Sequence, residues 1–417
     1  MFLLLVAVSF EIVQARQGMV EQVVILAGGE GRRLKGLSQG IPKPLLDVAG
    51  EPFVAGLINE LARFGFREFL LLVGPFQIPF QSLLPGKIHP EVNLQFVSEP
   101  CPAGTAGALS YARDFLQPEF LLVNGDSFFD FNYLDLALNL PREKWLMKLA
   151  LRFVDDTNRY GAVILDDTKV AGFLEKSRVG SGFINGGVYL MKREILEEVR
   201  DLPCSLENDV LPRLVERSVV FGKEYKGNFI DIGTPEDFHR SQSVLREWRR
   251  RPAVFFDRDG VLNQDTGYVY TKEKFSWLGG SREAIHYLNG LGYLVFVVTN
   301  QAGIARGYYE IDDVICLHDW INQELKLSGA HVDKFYFCPH HPSAGQGSFT
   351  RSCACRKPEP GMILSAFQEW DIDKRKSFLI GDKNSDVEAA GRAGIKGHFF
   401  KGGDLYSFVR DVVESLN

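Results

Sequence analysis

Residues 250–265 read "RRPAVFFDRDGVLNQD". Four apolar residues after Pro252 are typical of a buried strand, and Asp257 and Asp259 come directly after them. Acidic side chains at the carboxyl end of a strand stand where open α/β sheets bind ligands. Because this stretch starts only at residue 250 of 417, it predicts a second α/β domain.

The same alternation of short apolar runs and helical patterns continues on both sides of this stretch. The runs before it include "EQVVILAGG", "REFLLLVG" and "EFLLVNGD", and those after it include "GYLVFVVTN" and "KSFLIGD". Such alternation is the βαβ pattern of parallel sheets. A helix over "PEDFHRSQSVLREWRRRP" is expected to end before Pro252, so we place the domains at 19–245 and 252–417.

The charge of the chain excludes some partners. A net charge of −6 without a long basic block argues against nucleic acid or an acidic membrane surface. The apolar run 2–10 is too short to span a bilayer and lacks the basic start of a secretory signal, while "MVEQVVILAGG" from Met19 resembles a natural beginning. We therefore expect a cytoplasmic enzyme.

Glycines and cations follow the first strand. Gly28, Gly29 and Gly31 allow backbone N–H groups to approach phosphate oxygens, and Arg33 and Lys43 carry balancing charge. The spacing matches neither the dinucleotide fingerprint nor the Walker loop, and many strand-to-helix turns need glycine for geometry alone.

Two further strands in this half end in an acid. Asp126 follows "FLLVNG" and Asp231 follows "NFI". Together they can hold one Mg²⁺ against phosphates, although each alone could be a capping or turn residue.

The second half contains more of the residue types that phosphoryl transfer uses. One of Asp257 and Asp259 can attack phosphorus while the other donates a proton to the leaving oxygen. The other candidates follow two later strands and the segment between them: Thr299, Asn300, Arg356, Lys357, Asp382 and Asp386. This set predicts a site for phosphate and Mg²⁺.

Cys338, His340, Cys353 and Cys355 form a C-x-H-x12-C-x-C pattern. Four such ligands fit a closed, structural Zn²⁺ site, in a chain whose six cysteines do not suggest a disulfide framework. The alternatives are buried thiols without metal, or His341 as a substitute ligand.

The first half resembles the sugar-1-phosphate nucleotidyltransferases in "LAGGEGRRL", "PKPL", "EPCPAGTAGAL", "NGDSFFD", "RYGAV", "FLEKS", "INGGVYL", "SLENDVLP" and "FIDIGTPEDF". The resemblance implies that Arg33 stabilises pyrophosphate, that Lys43 and Lys176 contact phosphates, and that Asp126 and Asp231 hold Mg²⁺. It also implies a sugar site at Gly161, Glu175 and Asn185, and a nucleoside border at Thr105 and Gly107. Arg32 stands where that family commonly has threonine, so its role is open.

The second half resembles the haloacid dehalogenase superfamily of phosphatases. There Asp257 would become an aspartyl-phosphate, Asp259 would act as acid and base, and Asp257, Asp382 and the Asp259 carbonyl would bind Mg²⁺. "TNQAGIARGYY", "CRKPEPG" and "GDKNSDVEAAGRAG" resemble the heptose 1,7-bisphosphate 7-phosphatases, with Ala302 where serine is frequent and Arg306 as a further substrate-side cation. Histidinol-phosphate phosphatases share the zinc loop and are the nearest rival.

Together the resemblances imply two doubly wound α/β domains. One is a Rossmann-like, glycosyltransferase-A-like nucleotidyltransferase domain, and the other is a haloacid dehalogenase-like Rossmannoid domain with a zinc loop. They imply a route from heptose bisphosphate through heptose 1-phosphate and GTP to GDP-heptose for a bacterial surface glycan, by an enzyme that can be oligomeric. A hexose or N-acetylmuramate 1-phosphate with UTP, another phosphoester, or a sensor domain remain alternatives.

Overall fold

The computed structural model describes residues 20–29, 34, 40–138, 140–141, 144–158, 161–174, 180–345 and 347–416. Within them the chain divides into two compact units between Arg246 and Glu247. No helix in the described part is long and apolar enough to cross a bilayer. Four residues predicted for the first site lie outside the described residues, together with the amino-terminal segment: Gly31, Arg33, Glu175 and Lys176.

The first unit is built on a nine-stranded sheet in the order β5-β4-β1-β6-β11-β8-β12-β10-β9. Its strands and two short β pairs are β1 Gln22–Leu26, β2 Asp47–Val48, β3 Glu51–Pro52, β4 Glu68–Leu72, β5 Asn93–Val97, β6 Glu119–Asn124, β7 Ser127–Phe129, β8 Met147–Val154, β9 Ala162–Asp166, β10 Lys169–Leu174, β11 Gly182–Lys192, β12 Val220–Glu224 and β13 Phe229–Asp231. Its helices are α1 Phe53–Arg63, α2 Gln77–Leu83, α3 Thr105–Tyr111, α4 Leu211–Glu216 and α5 Pro235–Arg249, and α5 continues past the division between the units.

Only half of this sheet is parallel. β5, β4, β1 and β6 run in one direction, and Val23, Val24 and Ile25 at their centre are fully buried. β11 then pairs antiparallel with both β6 and β8. The β7–β13 pair forms beyond the carboxyl end of β6 and places Asp231 opposite Ser127.

The second unit contains a five-stranded, wholly parallel sheet in the order β16-β15-β14-β17-β18. Its strands are β14 Ala253–Phe256, β15 Leu294–Asn300, β16 Lys334–Cys338, β17 Phe378–Gly381 and β18 Lys396–Phe399. Its helices are α6 Ser281–Gly290, α7 Ile311–Lys326, α8 Gly361–Glu369, α9 Asn384–Ala393 and α10 Leu405–Glu414.

The helices cover both faces of this second sheet. Val254 and Phe256 pack in one buried cluster with α6, α7 and α10, while Ala253 and Phe255 pack in the opposite cluster with α8 and α9. Successive side chains of a strand point to opposite faces, so a strand covered on both sides is continuously apolar. The run "AVFF" is therefore the central strand of a doubly wound sheet.

Two candidate active sites

The first site lies at the carboxyl ends of β1 and β6. Gly28 follows β1, and a side chain there would come within 2.9 Å of the Gly74 amide nitrogen. The close approach of the backbone at Gly28 to the backbone at Gly74 therefore requires glycine. Asp126 comes two residues after β6, and the Ile232 N–H donates to the Asp126 carbonyl at 3.0 Å. The β7–β13 pairing thus brings Asp126 and Asp231 together.

Lys43 lies between these two carboxylates. Its Nζ is 2.6 Å from Asp126 Oδ2 and 3.6 Å from Asp231 Oδ1. The Ser127 Oγ lies 3.3 Å from Asp126 Oδ1 and 3.4 Å from Asp231 Oδ2, so its single hydroxyl hydrogen can be donated to either acid. Burial raises the pKa of Asp231, the negative charge of Asp126 adds to the rise, and Lys43 opposes it. Two acids that share one cation in this way fit a divalent metal site.

A cavity of about 450 Å³ opens beside this cluster. Among the described residues the lining is mostly apolar, and its charged members are Lys43, Glu99, Asp126 and Glu207. Glu99 is buried, and its Oε2 accepts the Ala103 N–H at 3.2 Å. Burial raises the pKa of Glu99, and that hydrogen bond opposes the rise. A size of this order suits a nucleoside.

The other residues predicted for the first site have varied positions. Gly29 and Thr105 line the cavity, and the Thr105 hydroxyl donates to Glu207 at 2.9 Å. Gly107 does not line it: Gly107 is buried in α3, where a side chain would meet Leu202, so this glycine serves packing.

Gly161 and Asn185 also lie outside the lining of this cavity. The Asn185 amide donates to the Tyr189 hydroxyl at 2.7 Å and its oxygen accepts the Gly187 N–H at 3.0 Å, across the register shift of β11. Their assignment to a sugar site remains a prediction.

The second site lies where β14, β15 and β17 end. Asp257, Asp382 and Asp386 each place a carboxylate oxygen within 4.8 Å of the other two. Lys357 Nζ lies 2.8 Å from Asp257 Oδ1 and 2.7 Å from Asp386 Oδ1, and all three of these side chains are buried. Burial raises the pKa of Asp257 to about 6, and the facing Lys357 ammonium opposes the rise.

Within the described part of the chain, Asp382 contributes an unpaired carboxylate oxygen to the acid cluster. Its Oδ1 is buried and has no hydrogen-bond partner among the described residues. Gly260, in the left-handed region with φ of 90°, leaves the space that the Asp382 carboxylate fills. A buried carboxylate oxygen without a donor, beside two further acids, fits Mg²⁺.

Asp259 is held away from this cluster by hydrogen-bond donors. It accepts from Arg258 Nη2 at 3.0 Å, from Asn263 Nδ2 at 3.0 Å and from Gln301 Nε2 at 3.1 Å. The Tyr309 hydroxyl in turn donates to Gln301 at 2.7 Å. The two acids of the "DRD" motif therefore have different surroundings.

A cavity of about 540 Å³ opens over both acids. Its lining includes Thr299, Asn300, Arg356, Lys357 and Asp386, as the sequence predicted, together with Asp265, Tyr268, Gln301 and Lys383, to which the sequence assigned no role. The Asn300 side chain makes two hydrogen bonds of 3.1 Å with the Lys357 backbone: its Nδ2 donates to the Lys357 carbonyl, and its Oδ1 accepts the Lys357 N–H. Arg306 does not line this cavity; it lies near His341, whose pKa is lowered chiefly by burial, with Arg356 and Arg306 adding to the effect.

The four predicted zinc ligands meet at the end of β16. The sulfur atoms of Cys338, Cys353 and Cys355 are 3.3 to 3.5 Å apart, and His340 Nδ1 lies 3.5 Å from Cys355 and 3.7 Å from Cys338. Those S···S distances far exceed the ~2.0 Å of a disulfide. They approach the edge of about 3.8 Å expected for a tetrahedron with Zn–S bonds of 2.3 Å. His341 instead accepts the Ala344 N–H at 2.8 Å.

Comparison with known proteins assigns both units. The nucleotidyl transferase profile matches residues 22–247, more than half of the chain, and a HAD-like hydrolase profile matches residues 354–405. A "D-glycero-beta-D-manno-heptose-1,7-bisphosphate 7-phosphatase" from Rhodopseudomonas palustris is 49% identical over 164 residues, which are 39% of this chain and 91% of that protein. This chain belongs to the nucleotidyl transferases in its first unit and to the HAD-like phosphatases in its second. It is a bifunctional enzyme with small-molecule substrates.

Two further proteins are similar to one unit each. The D-glycero-alpha-D-manno-heptose-1,7-bisphosphate 7-phosphatase of Burkholderia mallei is 50% identical over 143 residues, 34% of this chain and 76% of its own. HddC from Yersinia pseudotuberculosis, solved in complex with GMP-PN, is 32% identical over 54% of this chain and 100% of its own, with a TM-score of 0.48. The two phosphatases differ in the anomer that they are named for.

Proposed function

We propose that this enzyme makes a nucleotide-activated heptose in two consecutive reactions. The second unit removes the 7-phosphate of D-glycero-D-manno-heptose 1,7-bisphosphate, and the first unit transfers GMP from GTP to the resulting heptose 1-phosphate. The observation that carries the proposal is that a candidate phosphatase site, in a unit 49% identical over 164 residues to a heptose bisphosphate phosphatase, shares a chain with a nucleotidyltransferase. The product of the first reaction has the 1-phosphate that the second requires.

In the phosphatase reaction, Asp257 attacks the phosphorus of the 7-phosphate and the bond to the sugar oxygen breaks. Asp259 gives its proton to that oxygen. Water then attacks the aspartyl-phosphate, Asp259 takes a proton from the water, and orthophosphate leaves. Lys357, held between Asp257 and Asp386, supplies fixed positive charge beside the phosphate oxygens.

Asp257, Asp382 and Asp386 would hold Mg²⁺ in this unit. The ion supplies charge neutralisation for the transferring phosphoryl group. Asp386 belongs to this set through its position: it is fully buried, and its Oδ1 is 2.7 Å from Lys357 Nζ.

In the nucleotidyl transfer, a sugar phosphate oxygen attacks the α-phosphorus of GTP and pyrophosphate leaves. No protein nucleophile is required, so the contribution of the protein is positioning and charge. Lys43 binds phosphate oxygens, and Asp126 and Asp231 would hold Mg²⁺. Displacing Lys43 from these acids toward the triphosphate frees both carboxylates for the metal.

Glu99 supports GTP as the nucleotide. A buried carboxylate in a mostly apolar cavity favours a ligand edge with two neighbouring donors. Guanine offers N1–H and the exocyclic amino group side by side, whereas uracil offers one N–H between two carbonyl oxygens, which a carboxylate repels.

Cys338, His340, Cys353 and Cys355 would hold a structural Zn²⁺. The cluster has four protein ligands and so no open position for substrate. It lies directly before Arg356, whose Nη1 donates to the His340 carbonyl at 3.1 Å. The metal would thereby fix the segment that carries Arg356 and Lys357 into the phosphatase cavity.

The proposal is tested by supplying each anomer of heptose 1,7-bisphosphate with each of the four nucleoside triphosphates. Orthophosphate and pyrophosphate are followed separately. We expect orthophosphate release without any nucleotide, and pyrophosphate release with GTP only after orthophosphate has appeared. Pyrophosphate release that precedes orthophosphate release, or an absence of either product, would contradict the proposal.

A further inference from the structure

Two exposed tyrosines meet at the mouth of the phosphatase cavity. Tyr268 is 43% exposed and Tyr308 is 53% exposed, and their rings pack edge to face with centroids 4.8 Å apart. Tyr268 lines the same cavity as Asp257 and Asp259. The chemistry described above uses neither ring.

The backbone of Tyr268 is strained. Its φ is 52°, in the left-handed region that bulky side chains rarely adopt, and Gly267 before it has φ of 79°. Such strain persists only where the surroundings fix it, and it is frequent at ligand-binding positions.

Contacts on both sides hold this backbone in place. On one side the Gly267 N–H donates to Asp265 at 3.1 Å, and Asp265 pairs with Lys383 at 3.2 Å. On the other side the buried Arg258 donates to the Val269 carbonyl. The backbone position of Tyr268 is therefore fixed by an ion pair on one side and by a buried arginine on the other.

A second ring pair supports the same wall. Tyr270 stacks on Tyr309 with centroids 4.7 Å apart and planes 18° apart, and the Tyr309 hydroxyl reaches Gln301. The loop after β14 carries Tyr268 and Tyr270, and the segment after β15 carries Tyr308 and Tyr309. Two aromatic pairs thus join the two loops into one surface.

The floor and this wall of the cavity differ in chemistry. The floor holds Asp257 and Lys357 for the reacting phosphate, whereas an aromatic face suits the C–H groups of a carbon skeleton. We propose that Tyr268, braced by Tyr308, is a platform for the carbon skeleton of a phosphorylated sugar and selects sugar phosphates over small phosphate esters. This inference rests on the proposed function in taking the substrate to be a sugar phosphate.

The test compares kcat/KM of full-length variants on heptose 1,7-bisphosphate, fructose 1,6-bisphosphate and acetyl phosphate. Tyr268→Ala should lower kcat/KM for the sugar phosphates about 10- to 100-fold, mostly through KM, because a ring contact with substrate is lost. The loss with acetyl phosphate should stay below about threefold. Tyr268→Asn, which tolerates the left-handed backbone, should behave like Tyr268→Ala, and Tyr268→Phe should recover most of the activity.

Controls separate the platform from folding. Leu327→Ala removes another exposed apolar side chain, at the end of α7. It should leave kcat/KM unchanged both for the sugar phosphates and for acetyl phosphate. Equal losses on sugar phosphates and acetyl phosphate in Tyr268→Ala, or no loss on either, would overturn the platform. Hydrolysis of fructose bisphosphate but not of heptose bisphosphate would overturn the proposed function and leave the platform standing. Hydrolysis of acetyl phosphate alone would overturn both.

Discussion

Glu99 lies buried in the cavity of the first site, where the Ala103 N–H donates to its carboxylate. Replacing it by glutamine exchanges one acceptor oxygen for a donor. We expect Glu99→Gln to lower kcat/KM for GTP about 10- to 100-fold, since hydrogen bonds to a charged group contribute about 1.5–3 kcal/mol. The rate with UTP should rise relative to GTP. Pyrophosphate release with each of the four nucleoside triphosphates measures both effects.

Glu207 supplies the matched control for this variant. It lines the same cavity, but it accepts hydrogen bonds from the Thr105 and Ser205 hydroxyls at 2.9 and 3.1 Å. Glu207→Gln should therefore change kcat/KM by the same factor for all four nucleoside triphosphates. An unchanged GTP-to-UTP ratio in Glu99→Gln would refute the assignment of guanine to this carboxylate.

Residue type and position after a strand suffice to predict part of each site. Asp257 and Asp382 are such cases, because the carboxyl ends of parallel strands meet at one edge of a sheet. Asp386 was recognised near Asp382 but received no role, since its burial against Lys357 depends on the first turn of α9. Gln301 and Tyr268 carry no sequence signal of this kind, because their roles depend on side chains from another loop.

At the scale of elements, the cysteine loop after β16 is joined to the phosphatase site through Arg356 and Lys357. Replacing Cys353 or Cys355 by serine should remove the bound zinc and lower phosphatase activity about 10- to 100-fold, the range found when supporting groups of metal sites are lost. The nucleotidyltransferase activity should persist, because these residues all belong to the second unit. Metal analysis and both product assays check the expectation.

Cys316→Ser is the control for this loop. Cys316 is exposed on α7 and is not part of the cluster, so its replacement should keep both zinc and activity. Less than one zinc per chain in protein purified without chelators would show that the cluster holds no structural zinc.

The two sheets differ in how far the sequence predicts them. The apolar run of β14 predicts a strand covered on both faces, and the second unit has such a sheet. Alternating strands and helices do not reveal that β11 runs antiparallel between β6 and β8, because antiparallel pairing is decided by contacts distant in sequence. The β7–β13 pair, which brings Asp126 close to Asp231, cannot be predicted from the sequence pattern for the same reason.

At the scale of the whole molecule, the proposed order of the reactions is opposite to the order of the units in the chain. In the proposed function the phosphatase product is the substrate of the nucleotidyltransferase, and each candidate site opens into a cavity formed by its own unit. Each cavity is thus lined by residues that take part in the chemistry proposed at that site.

Two single variants test this independence when they are mixed. Asp257→Asn should lower orthophosphate release at least about a thousandfold by removing the nucleophile, and should keep pyrophosphate formation from heptose 1-phosphate and GTP. Asp126→Asn should do the reverse, with a loss of about 100-fold or more. An equimolar mixture supplied with heptose 1,7-bisphosphate and GTP should form the nucleotide sugar after a lag that shortens as protein concentration rises, because the intermediate diffuses between molecules. If the mixture stays inactive while each variant retains its own partial reaction, the intermediate passes only within one chain; if either substitution abolishes both reactions, the two sites are not independent.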